Sequence, residues 1–105
     1  LLGAGTWADG MVAMSATGHG ESFIRVAAGH ELSARMRLAG DDLDAAAAGV
    51  LAAVQAVGGD GGLVAVDRAG RVAMPFNSGG MYRGMIGADG IAQTGIYRDA
   101  LLAHP

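Results

Sequence analysis

The run Gly58-Gly59-Asp60-Gly61-Gly62 divides this chain into two halves that cannot share one kind of regular structure. Four glycines in five residues strip away the side chains a helix or strand would pack, so any element reaching them ends. Before the run, apolar residues recur at helical spacing; after it they come in short β-type blocks. A chain of 105 residues has room for one small domain, so both halves must share a core.

Ser22 to Leu38 carries Phe23, Val26, Ala27, Leu32 and Met36 at roughly helical spacing and ends near Gly40, which predicts one helix. Asp41 or Asp42 can cap a second helix running to about Val57. Leu43, Ala46, Ala47, Val50, Leu51 and Val54 form its apolar stripe. Upstream, Met11 to Ser15 is a short apolar run that reads as a buried strand, followed by the glycine-rich turn Thr17-Gly18-His19-Gly20-Glu21. Downstream, Leu63 to Val66 and Val72 to Phe76 form a hairpin across Asp67-Arg68-Ala69-Gly70. Met81 to Ile86 and Ile91 to Tyr97 are two further strands, separated by the turn at Gly87-Ala88-Asp89-Gly90. The fold class is α+β, two helices segregated from antiparallel strands. Continuous apolar runs such as Leu63 to Val66 belong to strands covered on both faces, so a second layer is expected over the sheet. The chain does not obviously supply it.

Composition excludes several classes of function. The net charge is −3 and every basic residue is arginine, which is not the footprint of a nucleic-acid binder. There is no cysteine, hence no disulfide and no thiolate chemistry. No apolar run approaches the roughly 20 residues needed to cross a bilayer, so no membrane partner is expected. Leu1 is not an initiator methionine, which points to a fragment or a processed chain. His19, His30 and His104 show no metal-ligand spacing, and no cofactor motif is present.

Chemistry shows at one place, Ser15 to Glu21. A strand enters, two glycines turn the chain, and a helix leaves. Such a turn directs backbone N–H groups outward, which favours an anion or a developing oxyanion. Thr17 adds a hydroxyl beside those amides. The same residues also suit a plain strand-to-helix turn in which Thr17 satisfies a local backbone group. His19 is read as an exposed turn residue, because no Ser-His-Asp constellation surrounds it.

Four segments, in order, resemble the plant-type asparaginase and isoaspartyl peptidase family of N-terminal-nucleophile hydrolases. Leu2-Gly3-Ala4-Gly5-Thr6-Trp7-Ala8-Asp9 is similar to its G-A-G-x-(aromatic)-A segment, and Ser15 to Arg25 to its T-G-x-G-E-x-F-I-R motif. Gly58 to Asp67 resembles its glycine-rich lead into a late strand. Met74 to Gly84 resembles its P-F-N-T-x-G-M-Y-R-G segment, with Ser78-Gly79 where the family has Thr-Glu.

The resemblance implies an αββα sandwich made by a precursor that cleaves itself into two subunits, with this chain as the C-terminal portion of the β subunit. The new N-terminal threonine of that subunit is the family's nucleophile and its own α-amine the base. By this likeness the nucleophile, and the Arg and Asp that grip the substrate, lie outside this chain. Thr17 and the N–H of Gly18 would form the oxyanion hole, and Gly18 and Gly20 would lie along the bound aspartyl group. The implied substrates are asparagine and β-aspartyl dipeptides, with no cofactor and no metal in the chemistry. The implied partners are the α subunit and the rest of the β subunit, in a dimer of αβ heterodimers, with a cytoplasmic location. A glycosylasparaginase-type hydrolase and a non-catalytic binding module for small carboxylates are the alternatives.

Overall fold

A computed structural model describes residues 1–104, in the order β1 (Thr6–Ala8), β2 (Val12–Gly18), α1 (Gly20–Arg25), α2 (Ala28–Arg37), α3 (Leu43–Ala56), β3 (Gly61–Asp67), β4 (Val72–Ala73), β5 (Arg83–Ile86), β6 (Ala92–Gly95) and β7 (Leu102–His104). The fold is α+β with antiparallel sheets. Strands β1 to β4 form one sheet in sequence order, and β5 to β7 form a second of three strands.

Helix α3 follows its sequence closely. The Asp42 carboxylate accepts the Ala45 N–H at 2.8 Å, and Gly58, at φ +85°, ends the helix in the left-handed conformation. All six residues of its expected stripe are buried.

The single helix expected over Ser22 to Leu38 is instead two, so there are three helices rather than two. The break lies at Ala27, whose φ of 49° is left-handed and interrupts the helical ladder. What holds the break is tertiary. The freed N–H groups of Gly29 and His30 donate to the carbonyls of Ala4 and Gly3 at 2.8 and 3.0 Å. The break also moves the buried face on by one residue: Ala27 is exposed and Ala28 fully buried.

The strand forecasts need similar corrections. Strand β2 starts at Val12 and runs on through Thr17 and Gly18, residues expected in the turn. Strand β4 is two residues long, because Pro75 has no N–H to extend the ladder. Strands β1 and β7, three residues each, were not expected.

Pairing of β2 with β3 runs from Val12↔Asp67 to Gly18↔Gly61. One face of this sheet packs Val12, Met14, Leu63 and Ala65 against Phe23, Leu32 and Val50 of the helices. Asp9 ties the β1–β2 turn to α2 by accepting from the Ser33 hydroxyl, the Trp7 indole and two backbone amides. Those donors, Ser33 foremost, hold its carboxyl far below the usual range against the opposing effect of burial.

The opposite face carries Ala13, Ser15, Val64, Val66 and Val72 around an open groove of ≈ 340 Å³. Val64 and Val66 remain 41% and 43% exposed there. The second sheet reaches this groove only at Gly84 and does not cover it. Among the described residues no helix is long and apolar enough to cross a membrane.

Candidate active site

Thr17 and Gly18 are the last two residues of β2, and His19 is the N-cap of α1. The sheet's alternation fixes what each presents. Odd-numbered residues of β2 point their side chains away from the helices, so Thr17 faces the open side with Ser15. It lies opposite Gly62, which adds no side chain on that face.

The same alternation fixes the amides. Ala16 donates its N–H to Gly5 on the β1 side at 2.9 Å, whereas His19 donates to Asp60 on the β3 side at 2.9 Å. Gly18 therefore directs its N–H with Ala16, away from β3. There, next to Thr17, lies a cleft of ≈ 130 Å³ lined by Gly5, Thr17, Gly18, Gly20 and Phe23. Thr17, Gly18 and Gly20 are all exposed.

The two glycines of this turn differ in what demands them. Gly18 sits at φ +126° and passes so close to Asp60 and Gly61 that a Cβ would strike their backbone. Around Gly20 a Cβ would meet open space, and its φ is unremarkable. Nothing inside the described chain requires glycine at 20.

A second cleft of ≈ 360 Å³ flanks the turn on the β3 side, between Thr17, Gly18 and the loop residues Ser78, Gly80 and Tyr82. Asn77 pins that loop to β3: it donates its N–H to the Gly61 carbonyl and accepts the Gly61 N–H on Oδ1, both at 2.8 Å. Its Nδ2 is buried without a partner among the described residues. Phe76, beside it, has the guanidinium groups of Arg83 and Arg98 over its ring at 4.9 and 5.2 Å.

The hydrogen bonds at this corner are made by His19, Asp60, Gly61 and Asn77, and none involves the Thr17 hydroxyl. The alternative of a Thr17 consumed by local capping therefore does not describe this turn. Sequence reasoning missed three contributors, His19, Asp60 and Asn77. The signal for all three was their place inside the resembling segments, where His19 fills the unspecified x of T-G-x-G. Among the described residues, no three His, Asp or Glu side chains gather as a metal site would require.

Residues 1–96 match the family model described as "Asparaginase". The chain belongs to the asparaginase family. It is 48% identical over 101 residues to an isoaspartyl peptidase of Salmonella typhimurium and 46% identical over 101 residues to one of Escherichia coli. Each match covers 94% of this chain and 32% of the relative. A putative isoaspartyl peptidase/L-asparaginase of Dictyostelium discoideum is 42% identical over 86 residues, 82% of this chain and 25% of that protein. The chain thus spans about a third of the length of the first two relatives.

Proposed function

We propose that this asparaginase-family chain supplies the oxyanion-side wall of a threonine-nucleophile amidohydrolase that cleaves β-aspartyl peptides and L-asparagine. The observation that carries the reading is the pair of free donors at the end of β2. The Gly18 N–H points away from the β3 ladder, and the adjoining Thr17 hydroxyl makes no hydrogen bond among the described residues. Two such donors, fixed before reaction, are what a tetrahedral intermediate needs as negative charge gathers on its oxygen.

In this reading the nucleophile and the groups gripping the substrate's α-carboxylate and α-amine come from residues outside this chain. The threonine oxygen attacks the amide carbon while its own α-amine takes the proton. The carbonyl oxygen becomes an oxyanion between Thr17 and Gly18. Collapse, with the α-amine returning its proton to the leaving nitrogen, expels ammonia or the second amino acid of the dipeptide and leaves an acyl-enzyme, which water hydrolyses through a second oxyanion at the same donors. The aspartyl group lies along Gly18 and Gly20, and the open space at Gly20 leaves room for it.

The uncovered valines favour the αββα sandwich as the complete arrangement, with the remaining layers over the face of Val64 and Val66. The names of the relatives, rather than this turn alone, favour isoaspartyl peptides and asparagine over glycosylasparagine. The complete protein should mature into two subunits, assemble as a dimer of αβ heterodimers, and release aspartate from a β-aspartyl dipeptide and from asparagine. A complete protein that matures and hydrolyses neither substrate refutes the proposal.

A further inference from the structure

Another segment fills the space where a side chain on Gly62 would stand. A Cβ there would strike Met81 and Phe76, so the loop from Phe76 to Tyr82 crosses β3 at this residue. Gly62 is also the ladder partner of Thr17, and directly opposite residues of an antiparallel pair face the same side. The loop therefore runs beside the Thr17 side chain.

Although it has no regular secondary structure, the loop is tied down along its length. Besides the two bonds between Asn77 and Gly61, the Ser78 carbonyl accepts from the Arg98 guanidinium at 3.2 Å and the Ser78 hydroxyl donates to the Gly80 carbonyl at 3.0 Å. The Met81 N–H donates to the Ile96 carbonyl at 2.7 Å, and the Met81 side chain is buried. Tyr82 is different. It is 85% exposed, so the fold gains little from its ring, yet it lines the ≈ 360 Å³ cleft on the β3 side of the turn. Bare backbone at Gly18, Gly61 and Gly80 forms much of the remaining wall, and Asp60 is the one charged residue lining it.

We propose that this second cleft receives the leaving residue of a β-aspartyl dipeptide, with the Tyr82 ring as its specificity-determining wall. This rests on the oxyanion role given to Thr17 and Gly18 above. Those two residues line both clefts. A tetrahedral carbon whose oxyanion lies between them carries its aspartyl CH2 and its leaving nitrogen in different directions. With the aspartyl group along Gly18 and Gly20 in the first cleft, the leaving residue takes the opposite flank of Gly18. An aromatic or apolar side chain gains by covering the Tyr82 ring, whereas an acidic one meets Asp60. Ammonia, the leaving group from asparagine, is too small to reach the ring, so asparagine reports the chemistry without this contact.

The test assays the complete, mature protein on β-aspartyl-phenylalanine, β-aspartyl-glutamate and asparagine, with Tyr82→Ala, Tyr82→Phe and Thr17→Ala. The parent should cleave the phenylalanine dipeptide with about fivefold or more higher kcat/KM than the glutamate one. Tyr82→Ala should lower the ratio of kcat/KM on β-aspartyl-phenylalanine to that on asparagine by about tenfold, and Tyr82→Phe should hold it within about twofold of the parent. A ratio unmoved by Tyr82→Ala overturns the proposal, and a slow Thr17→Ala variant then leaves the site's reading intact. Equal cleavage of the two dipeptides by the parent overturns it too, in a comparison that stands even where Tyr82→Ala fails to mature. A Thr17→Ala variant at parental kcat removes the underlying reading, and this proposal with it.

Discussion

Ala27 is the one described non-glycine residue with a positive φ, and it shows how this chain offsets local strain with long-range bonds. A left-handed alanine costs about 1–2 kcal/mol. Each net hydrogen bond returns about 1 kcal/mol, so the two from Gly29 and His30 to Ala4 and Gly3 are enough to hold the break. Glycine at 27 would relieve the strain but lose roughly 0.4–1 kcal/mol through its freer unfolded state. Ala27→Gly should therefore stabilise the complete protein by about 0.5–1 kcal/mol in denaturant unfolding. A destabilised variant would mean that Ala27 packs where the geometry shows it exposed.

Among the elements, α3 was wholly legible because its cap, its stripe and its stop are all local signals. The helix over 22–38 was half legible. Its periodicity is real on each side of Ala27, but nothing in that segment announces the carbonyls of Gly3 and Ala4 that split it. Strand β2 is longer than its apolar run because Thr17-Gly18, turn-like in sequence, pairs with the facing glycines Gly61 and Gly62, which let the backbones approach that far. Strands β1 and β7 are too short for alternation to register. The site was legible as a place, through Thr17, Gly18 and Gly20, but the clamp of His19, Asp60 and Asn77 was not, since those residues are 16 to 41 positions apart from their partners.

A contest within α2 and α3 can be decided by magnitudes. Gly49, inside α3, costs about 1 kcal/mol of helix stability relative to alanine. A Cβ there would displace the Arg35 guanidinium, which pairs with Glu31 at 3.0 Å. That pair is about one-third exposed at both ends and worth about 0.3–0.5 kcal/mol, and the arginine can swing outward. Gly49→Ala should accordingly raise stability by roughly 0.5 kcal/mol. A loss of stability in the same unfolding assay would show that Arg35 is wedged between the helices rather than lying on them.

At the scale of the whole molecule, the glycine run at 58–62 is where the two halves of the chain join. It ends α3, starts β3, and brings Gly61 against Gly18, so that the helical half and the strand half meet at the turn proposed to hold the oxyanion. The sheet face beyond Thr17 stays open and apolar, and Thr17 lies near the end of β2 with its side chain on that side. Nothing in that arrangement needs the hydroxyl for folding, which separates the chemical role proposed for it from a structural one. The most direct test is kcat of the complete, mature protein on a β-aspartyl dipeptide with Thr17→Ser and Thr17→Ala. Serine keeps the donor and should turn over within about tenfold of the parent, whereas alanine should lose about 10²-fold or more in kcat at little change in thermal stability. An alanine variant that turns over as fast as the serine one would contradict the oxyanion role of Thr17.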